Sequence, residues 1–326
     1  MSTPLDNLSE IFNSDLARVD RLIGERMQSE HVARIPEISA HLINAGGKRI
    51  RPILTLASAN LCGYEGDDHI KLATTVEFIH TATLLHDDVV DESPKRRGKP
   101  TANLLWDNKS SVLVGDYLFS RAFQLMVEPG NLKVLAILSN ASAVIAEGEV
   151  LQLTVATDIE ANEDTYFKVI EGKTAALFEA ACEVGGVLSN ASDAQVNALK
   201  TYGKNLGLAF QIADDVLDFV AGEEFGKAIG NDFAERKLTL PIIRAIQLGD
   251  GEEKAFWHRT ITKGQQSDDD LRTALAYLNK HKTLDSSKQT ALSLSSAAKD
   301  ALNVFETSKV KTELSNLCDM VVHRLV

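Results

Sequence analysis

The stretch Thr74-Thr75-Val76-Glu77-Phe78-Ile79-His80-Thr81-Ala82-Thr83-Leu84-Leu85-His86-Asp87-Asp88-Val89-Val90-Asp91 decides how the rest of the chain is read. Leu72, Val76, Ile79 and Thr83 fall on one helical stripe, and the run Thr74 to Leu85 is a strongly apolar helix. It ends in Asp87-Asp88-Val89-Val90-Asp91. Asp87 and Asp91 are four residues apart, so on a helix they share one face, a turn apart. Two ionised carboxylates at that spacing repel each other and destabilise a bare helix. A hard divalent cation removes the repulsion. Magnesium takes oxygen ligands and commonly combines one or two carboxylates with substrate phosphates and water.

The pattern recurs as Asp214-Asp215-Val216-Leu217-Asp218 on a second apolar helix, Leu206 to Val220. One such cluster is explained by a solvated acidic face. Two, each joined to apolar helix, fit that explanation poorly. Asp268-Asp269-Asp270 is different: it follows a polar loop and precedes a helix, where negative charge is favoured, so it takes no catalytic role. Two acidic clusters facing each other would hold a small group of magnesium ions bridged by a diphosphate. Cations to meet such an anion occur in Gly46-Gly47-Lys48-Arg49-Ile50-Arg51-Pro52, in Lys95-Arg96-Arg97-Gly98-Lys99, at Lys173-Thr174, and from Gly226-Lys227 to Lys237. Each cluster alone reads as surface. Two of them, however, follow the Asp motifs closely, where a bound diphosphate would sit. Arg suits bidentate phosphate contacts and Lys a point-charge contact. His80 lies on the Asp87 face two turns back, and Gln211 stands three residues before Asp214.

Outward from the motifs, helical periodicity continues. Val134, Leu135, Leu138, Val144 and Ile145 fit one stripe, and Leu271, Leu275 and Leu278 another. None of the seven prolines lies between Pro129 and Pro241. No run of alternating β-branched residues bounded by hairpin turns is evident. The breaks imply ten to a dozen helices with short connections, an all-α bundle. No composition shift marks a linker, so residues 1–326 are expected to form a single domain. The helix Ser111 to Met126 is apolar nearly all round, as expected of a central or interface helix.

Composition excludes several classes. Net charge is -12 and the pI about 5.2, against a nucleic-acid binder. Cys62, Cys182 and Cys318 are few, scattered and odd in number, against a disulfide framework or zinc site and in favour of a reducing cytoplasm. Residues 1–20 lack a basic segment followed by an apolar one, so no signal peptide is expected, and no stretch reads as a membrane span.

Taken in order, these motifs resemble the trans-type polyprenyl diphosphate synthase family, and within it the long-chain, octaprenyl type. The resemblance runs from about Leu5 to the C-terminus. It also includes Gly148-Glu149-Val150-Leu151-Gln152, Phe210-Gln211 and the segment Gly226 to Pro241. It implies helices around a central active-site cavity, magnesium as cofactor, a homodimer, and a cytoplasmic enzyme that adds isopentenyl diphosphate units to an allylic diphosphate such as farnesyl diphosphate. The product would be octaprenyl diphosphate or a near neighbour, for quinone side chains. By the family pattern, Asp87, Asp88, Asp91, Asp214, Asp215 and Asp218 surround the metal ions. Lys48, Arg51, His80 and Arg97 bind isopentenyl diphosphate, and Arg96, Lys173, Thr174, Gln211, Lys227 and Lys237 hold the allylic diphosphate. Lys173, Asp214 and Lys227 take the catalytic roles. Arg236 departs from the pattern, since the family usually has Gly there. A class I terpene cyclase would carry a different second metal motif and no Gly-Gly-Lys-Arg-x-Arg cluster. A non-catalytic partner subunit could lack an Asp motif, and both are intact here.

The resemblance implies ionisation of the allylic diphosphate, attack by the isopentenyl double bond, and proton loss, with magnesium and the Lys and Arg groups stabilising the departing diphosphate. Product length is read from the face behind Asp87. Thr83 lies one turn back, Ile79 two turns back, and Ala82 beside them. A helical turn rises ~5.4 Å, so each further open turn admits about one isoprene unit. Small residues at Ala82 and Thr83 predict a long tunnel, with Met126 and Leu138 as candidates for its floor. Ala82→Tyr or Thr83→Phe is expected to shorten the product in a labelled chain-extension assay; an unchanged product length removes these positions from length control.

Overall fold

A computed structural model describes residues 2–43, 46–220 and 229–323. The fold is all-α, with seventeen α-helical segments among the described residues. That exceeds the expected ten to a dozen because short pieces such as Pro4–Ile11, Ala102–Leu105 and Asn231–Ala234 stand as separate helices. The chain divides into two compact, interleaved units. One comprises Met1–Ser142, Leu177–Gly203 and Val304–Leu314; the other comprises Ala143–Ala176, Lys204–Asn303 and Ser315–Val326.

In the first unit the N-terminal helices are α1 (Pro4–Ile11), α2 (Asn13–Arg26), α3 (Arg34–Ile43), α4 (Ile50–Leu61) and α5 (Asp68–Val90). Helix α5 is apolar nearly all round: Leu72, Val76, Phe78, Ile79, Ala82 and Leu85 are all fully buried. A helix without a polar stripe must be enclosed on every side. Helices α2, α4 and α7 (Asn108–Val127) enclose it. Helix α4 likewise buries every residue from Pro52 to Ala59.

Two short strands follow α5, β1 (Lys95–Arg96) and β2 (Lys99–Pro100), paired antiparallel. Sequence periodicity missed them because each is only two residues long. Arg97 (φ 52°) and Gly98 (φ 78°) form the loop. Positive φ at both central residues marks a type I′ turn, which matches strand twist. Helix α6 (Ala102–Leu105) leads into α7. Helix α7 is less uniform than its composition suggests: Val114, Leu118, Ala122, Leu125 and Met126 are buried, whereas Leu113, Phe123 and Val127 are exposed. Helix α8 (Leu132–Val155) begins in this unit and continues in the second. By length and composition it is, among the described residues, the one helix able to cross a membrane, with 28% of its most apolar stretch buried. It escapes a scan for unbroken apolar runs because Ser139, Asn140, Ser142, Glu147, Glu149 and Gln152 interrupt it.

The second unit continues with α9 (Glu163–Ile170), a π-helical turn at Glu171–Ala175, α10 (Ala176–Leu188) and α11 (Asp193–Val220). After α12 (Asn231–Ala234) come α13 (Leu240–Leu248), α14 (Gly251–Trp257), α15 (Asp270–Lys280), α16 (Thr283–Ala301) and α17 (Lys309–His323). Phe219, Phe233, Ile242, Phe256, Trp257, Ile261 and Leu278 form a core, with Leu271 and Leu275 packed against it. The stripe expected near the C-terminus therefore faces inward. Asp270 opens α15 and bonds both Arg259 nitrogens, at 2.7 and 2.9 Å, which gives this Asp run the structural role expected of it.

The π turn packs closely against α8. Gly172 lies so close to α8 that a Cβ there would stand 2.8 Å from Gly148 Cα and 2.9 Å from the Val144 carbonyl. Only glycine on both sides permits that approach. Gly172→Ala is expected to cost about 1–3 kcal/mol through overpacking against backbone that cannot move aside; a Tm equal to that of the parent protein would rule this out.

Candidate active site

Loop 46–49 and helix α5 gather the cations of the first unit. Gly46 has φ 89°, and a Cβ on Gly47 would stand 2.8 Å from Arg97 Nη1. The two glycines thus let the Arg97 guanidinium lie directly on the backbone before Lys48. Arg51 Nη1 lies 3.1 Å from His80 Nε2, and its guanidinium stacks 4.6 Å from the Phe178 ring centre. Burial, and then the charges of Arg51, Arg97, Arg96 and Arg49, hold the His80 pKa well below its ordinary value. His80 is therefore neutral at physiological pH, with Nε2 accepting from Arg51 and Nδ1 carrying the proton. Burial pulls Arg51 down to about 10, partly offset by Glu77, so it remains charged.

The first Asp motif ends this helix. Asp87 and Asp88 belong to α5, and Asp91 is its C-cap. Asp88 is 0% exposed. Its Oδ1 accepts from Arg96 Nε at 2.7 Å, while Oδ2 is buried without a hydrogen-bond partner. Burial, the largest influence, raises its pKa, and Arg96 opposes the rise. A carboxylate oxygen left unsatisfied in the interior is costly. A hard cation or a donor brought by a ligand would relieve it.

In the second unit Asp215, 5% exposed, has both oxygens engaged. Tyr166 donates its hydroxyl to Oδ2 at 2.6 Å, and Gln211 Nε2 donates to Oδ1 at 2.8 Å. Thr174 in turn donates to Gln211 Oε1 at 2.7 Å. One polar chain therefore ties the π turn, α11 and α9 together. Asp218 Oδ2 accepts from the Asp232 backbone at 2.9 Å, which folds the segment after Gly230 onto the end of α11. Asp214 is exposed. Lys173, projected by the π turn, bonds Glu149 at 3.0 Å, and Lys237 pairs with Glu235 at 2.5 Å.

Each unit thus assembles its own share of the expected residues. Lys227 lies outside the described residues. Two residues escaped the sequence reading. Tyr166 carried no charge to draw attention and is recognisable only through its bond to Asp215. Asp232 stands fourteen residues beyond Asp218 and outside both motifs. Arg236 adopts φ 60°, the conformation for which a family glycine is suited, and its guanidinium lies against Gly264. Ile79, Ala82, Met126 and Leu138 are fully buried and Thr83 partly so.

Among the described residues no three His, Cys, Asp or Glu side chains are already gathered as a ready-made metal cage. Magnesium needs none, because it shares its ligands with phosphate and water. The donors present are all hard oxygens, and their electrostatics suit a divalent cation. Burial raises Asp215 to about 6 against the help of Tyr166 and Gln211, and raises Asp218 against its backbone bonds. Burial, and then the charges of Asp215 and Asp218, push Asp232 up to about 8.

These raised values have a definite consequence for the metal-free protein. The folded state binds protons that the unfolded state has released, so this stability is fully present below the ordinary value of 3.8 and is lost as pH rises through about 6 and 8. Melting in a chelator is expected to show Tm falling between about pH 5.5 and pH 8.5, with Asp232→Asn flattening the upper part of that fall. A parallel curve for the variant would remove Asp232 as the cause.

Comparison with known proteins identifies the family. The polyprenyl synthetase family profile matches residues 32–278. The octaprenyl diphosphate synthase of Escherichia coli is 42% identical over 321 residues, 98% of this chain and 99% of that one. A decaprenyl diphosphate synthase crystal structure from Rhodobacter capsulatus superposes with a TM-score of 0.96 at 58% identity, covering 99% of each chain. A polyprenyl synthase from Caulobacter crescentus, complexed with calcium and isoprenyl diphosphate, gives a TM-score of 0.93 at 48% identity over 100% of this chain and 99% of that one. Near-full-length identity and a shared fold leave one assignment: the chain belongs to the polyprenyl synthetase family.

Proposed function

We propose that the chain is a long-chain trans-polyprenyl diphosphate synthase that extends an allylic primer, farnesyl diphosphate, with isopentenyl diphosphate to octaprenyl length or a near neighbour. The product would supply a quinone side chain. The observation that carries the reading is the end of α5, where a wholly buried carboxylate, Asp88, takes the Arg96 guanidinium on one oxygen and keeps the other unpaired. A structural helix gains nothing from that arrangement, whereas a site for a metal-bound diphosphate requires both signs of charge. Near-full-length octaprenyl and decaprenyl synthase relatives support the long product.

In this reading Lys48, Arg51 and Arg97 bind the diphosphate of isopentenyl diphosphate, and neutral His80 holds Arg51 in place and offers its Nδ1 proton. Arg96, Lys173, Thr174, Gln211, Lys227 and Lys237 hold the allylic diphosphate. Arg96 and Lys173 are paired with Asp88 and Glu149 in the free protein, so binding exchanges carboxylate partners for phosphate. Asp87, Asp88, Asp91, Asp214 and Asp218 are the magnesium-facing carboxylates, joined by Asp232. Asp215 completes this set, and Tyr166 and Gln211, each donating to one of its oxygens, orient it. Magnesium, when bound, supplies positive charge that stabilises the departing diphosphate. Lys173 and Lys227 add charge to the same leaving group, and no nucleophilic side chain is needed. The divalent ion and isoprenyl diphosphate carried by the Caulobacter relative are consistent with this division of roles.

Residues 1–326 act as one catalytic domain in this reading, since the family profile runs without a break through segments of both units. A homodimer is supported by the exposed apolar residues Leu104, Leu105, Leu113, Phe123 and Val127 in the first unit, a face suited to another protein surface. Three free thiols suit a cytoplasmic setting.

Purified protein given farnesyl diphosphate, labelled isopentenyl diphosphate and magnesium is expected to yield a product of about eight isoprene units, and none after chelation. Asp87→Asn is expected to lower kcat by about 100-fold or more. Release of a cyclic hydrocarbon, or no consumption of isopentenyl diphosphate, would overturn the assignment.

A further inference from the structure

Glu77 is named in none of the binding roles above, yet it is a carboxylate set among cations that serve an anionic substrate. It lies on α5 three residues before His80 and is 7% exposed. Its carboxylate pairs with the Arg49 guanidinium. Its charge also favours the protonated forms of Arg51 and Arg97. Arg49 is itself unusual. It is the N-cap of α4 with φ 47° and ψ 33°, and its side chain makes no capping bond to that helix. An L-residue holds a left-handed conformation only when its surroundings impose it. Here the side chain is gripped at both edges: Glu77 takes Nη1, while Asp20 takes Nε and Nη2, each at 3.2 Å. The Arg49 carbonyl then accepts the first bond of α4, from Ile53 at 3.0 Å. Lys48 immediately precedes this turn and Arg51 follows it by two residues.

We propose that Glu77 is a positioning residue for isopentenyl diphosphate: its buried pair with Arg49 fixes the left-handed turn that opens α4, and the turn sets Lys48 and Arg51 for the diphosphate. The inference rests on the assignment of Lys48, Arg51, His80 and Arg97 to that substrate. It explains why a negative group is kept where negative charge alone would repel the ligand. Paired with Arg49 it adds no net charge, and it offsets the mutual repulsion of the Arg49, Arg51 and Arg97 guanidiniums.

The sign of the effect separates this role from simple electrostatics. By charge alone, Glu77→Gln removes a repulsive group and lowers the KM for isopentenyl diphosphate. As a loss of positioning, the same change raises it. Steady-state kinetics of the full-length variant, with each substrate varied at saturating co-substrate and magnesium, are expected to show the isopentenyl diphosphate KM up by about tenfold, with the allylic KM and kcat within about twofold of the parent. Arg49→Gln should give the same pattern, and the double variant should be no worse than either single one, because both break one interaction. Glu77→Asp should recover part of the loss. An unchanged or lowered isopentenyl diphosphate KM in Glu77→Gln overturns the proposal, as does an equal rise in both KM values. If that variant does not fold, Asp20→Asn loosens the outer grip on Arg49 and should raise the same KM alone, to a smaller extent; no rise overturns the proposal. Arg51→Gln is the control for the underlying site. If it leaves the isopentenyl diphosphate KM unchanged, the substrate assignment itself fails. If it raises that KM and Glu77→Gln does not, only the positioning role fails.

Discussion

Helix α5 has to be apolar along its length in order to be buried and, in the function proposed, charged at its end in order to bind metal and diphosphate. Those demands conflict, because an ion in the interior loses its hydration. The conflict is met by pairing. Glu77 is answered by Arg49, Asp88 by Arg96, and the His80 ring by losing its charge altogether. Glu77 has no oxygen that is both buried and unpaired, whereas the second oxygen of Asp88 is buried with no partner. In the function proposed, that difference separates a group that supports the site from one that awaits a ligand.

The second unit meets the same demand differently. At the end of α11 its carboxylates rely on neutral donors and on retained protons. Tyr166 and Gln211 each donate to one oxygen of Asp215, while Asp232 is pushed up to about 8 by burial and its acidic neighbours. Backbone geometry serves both units. Gly47 clears space for the Arg97 guanidinium, and the Gly148–Gly172 approach seats the π turn that carries Lys173 and Thr174. π turns recur at functional sites because an extra residue in one turn re-aims the side chains around it. Left-handed backbone at Arg49 and Arg97 also falls among the proposed ligands, as expected where strain is held in place by specific contacts.

Much of this was legible from residue order. The two Asp-Asp-x-x-Asp motifs, the basic clusters and the helical stripes are local patterns, and local patterns survive without coordinates. Leu271, Leu275 and Leu278 face the core as their spacing requires, and Asp270 stands at the helix start, bonded to Arg259. Less legible were features that depend on a partner distant in sequence. The β1–β2 hairpin is too short for periodicity to register. Tyr166 gains meaning only from a residue forty-nine positions away, and Glu77 only from one twenty-eight positions away. The apolar helix α7 buries one face and leaves Leu113, Phe123 and Val127 outside, a division its composition conceals.

By itself, the sequence determined the all-α class, the positions of both acidic motifs and the family to which the chain belongs. Each follows from spacing along a helix or from the order of motifs along the chain. Tertiary structure alone decided the state of the individual carboxylates: that Asp88 keeps an unpaired oxygen, that Asp215 has none, and that Asp232 joins the second cluster. Spacing can place a carboxylate on a helix face. Its protonation and its freedom to bind a cation depend on burial and on the donors that other elements bring to it, and those are properties of the folded chain.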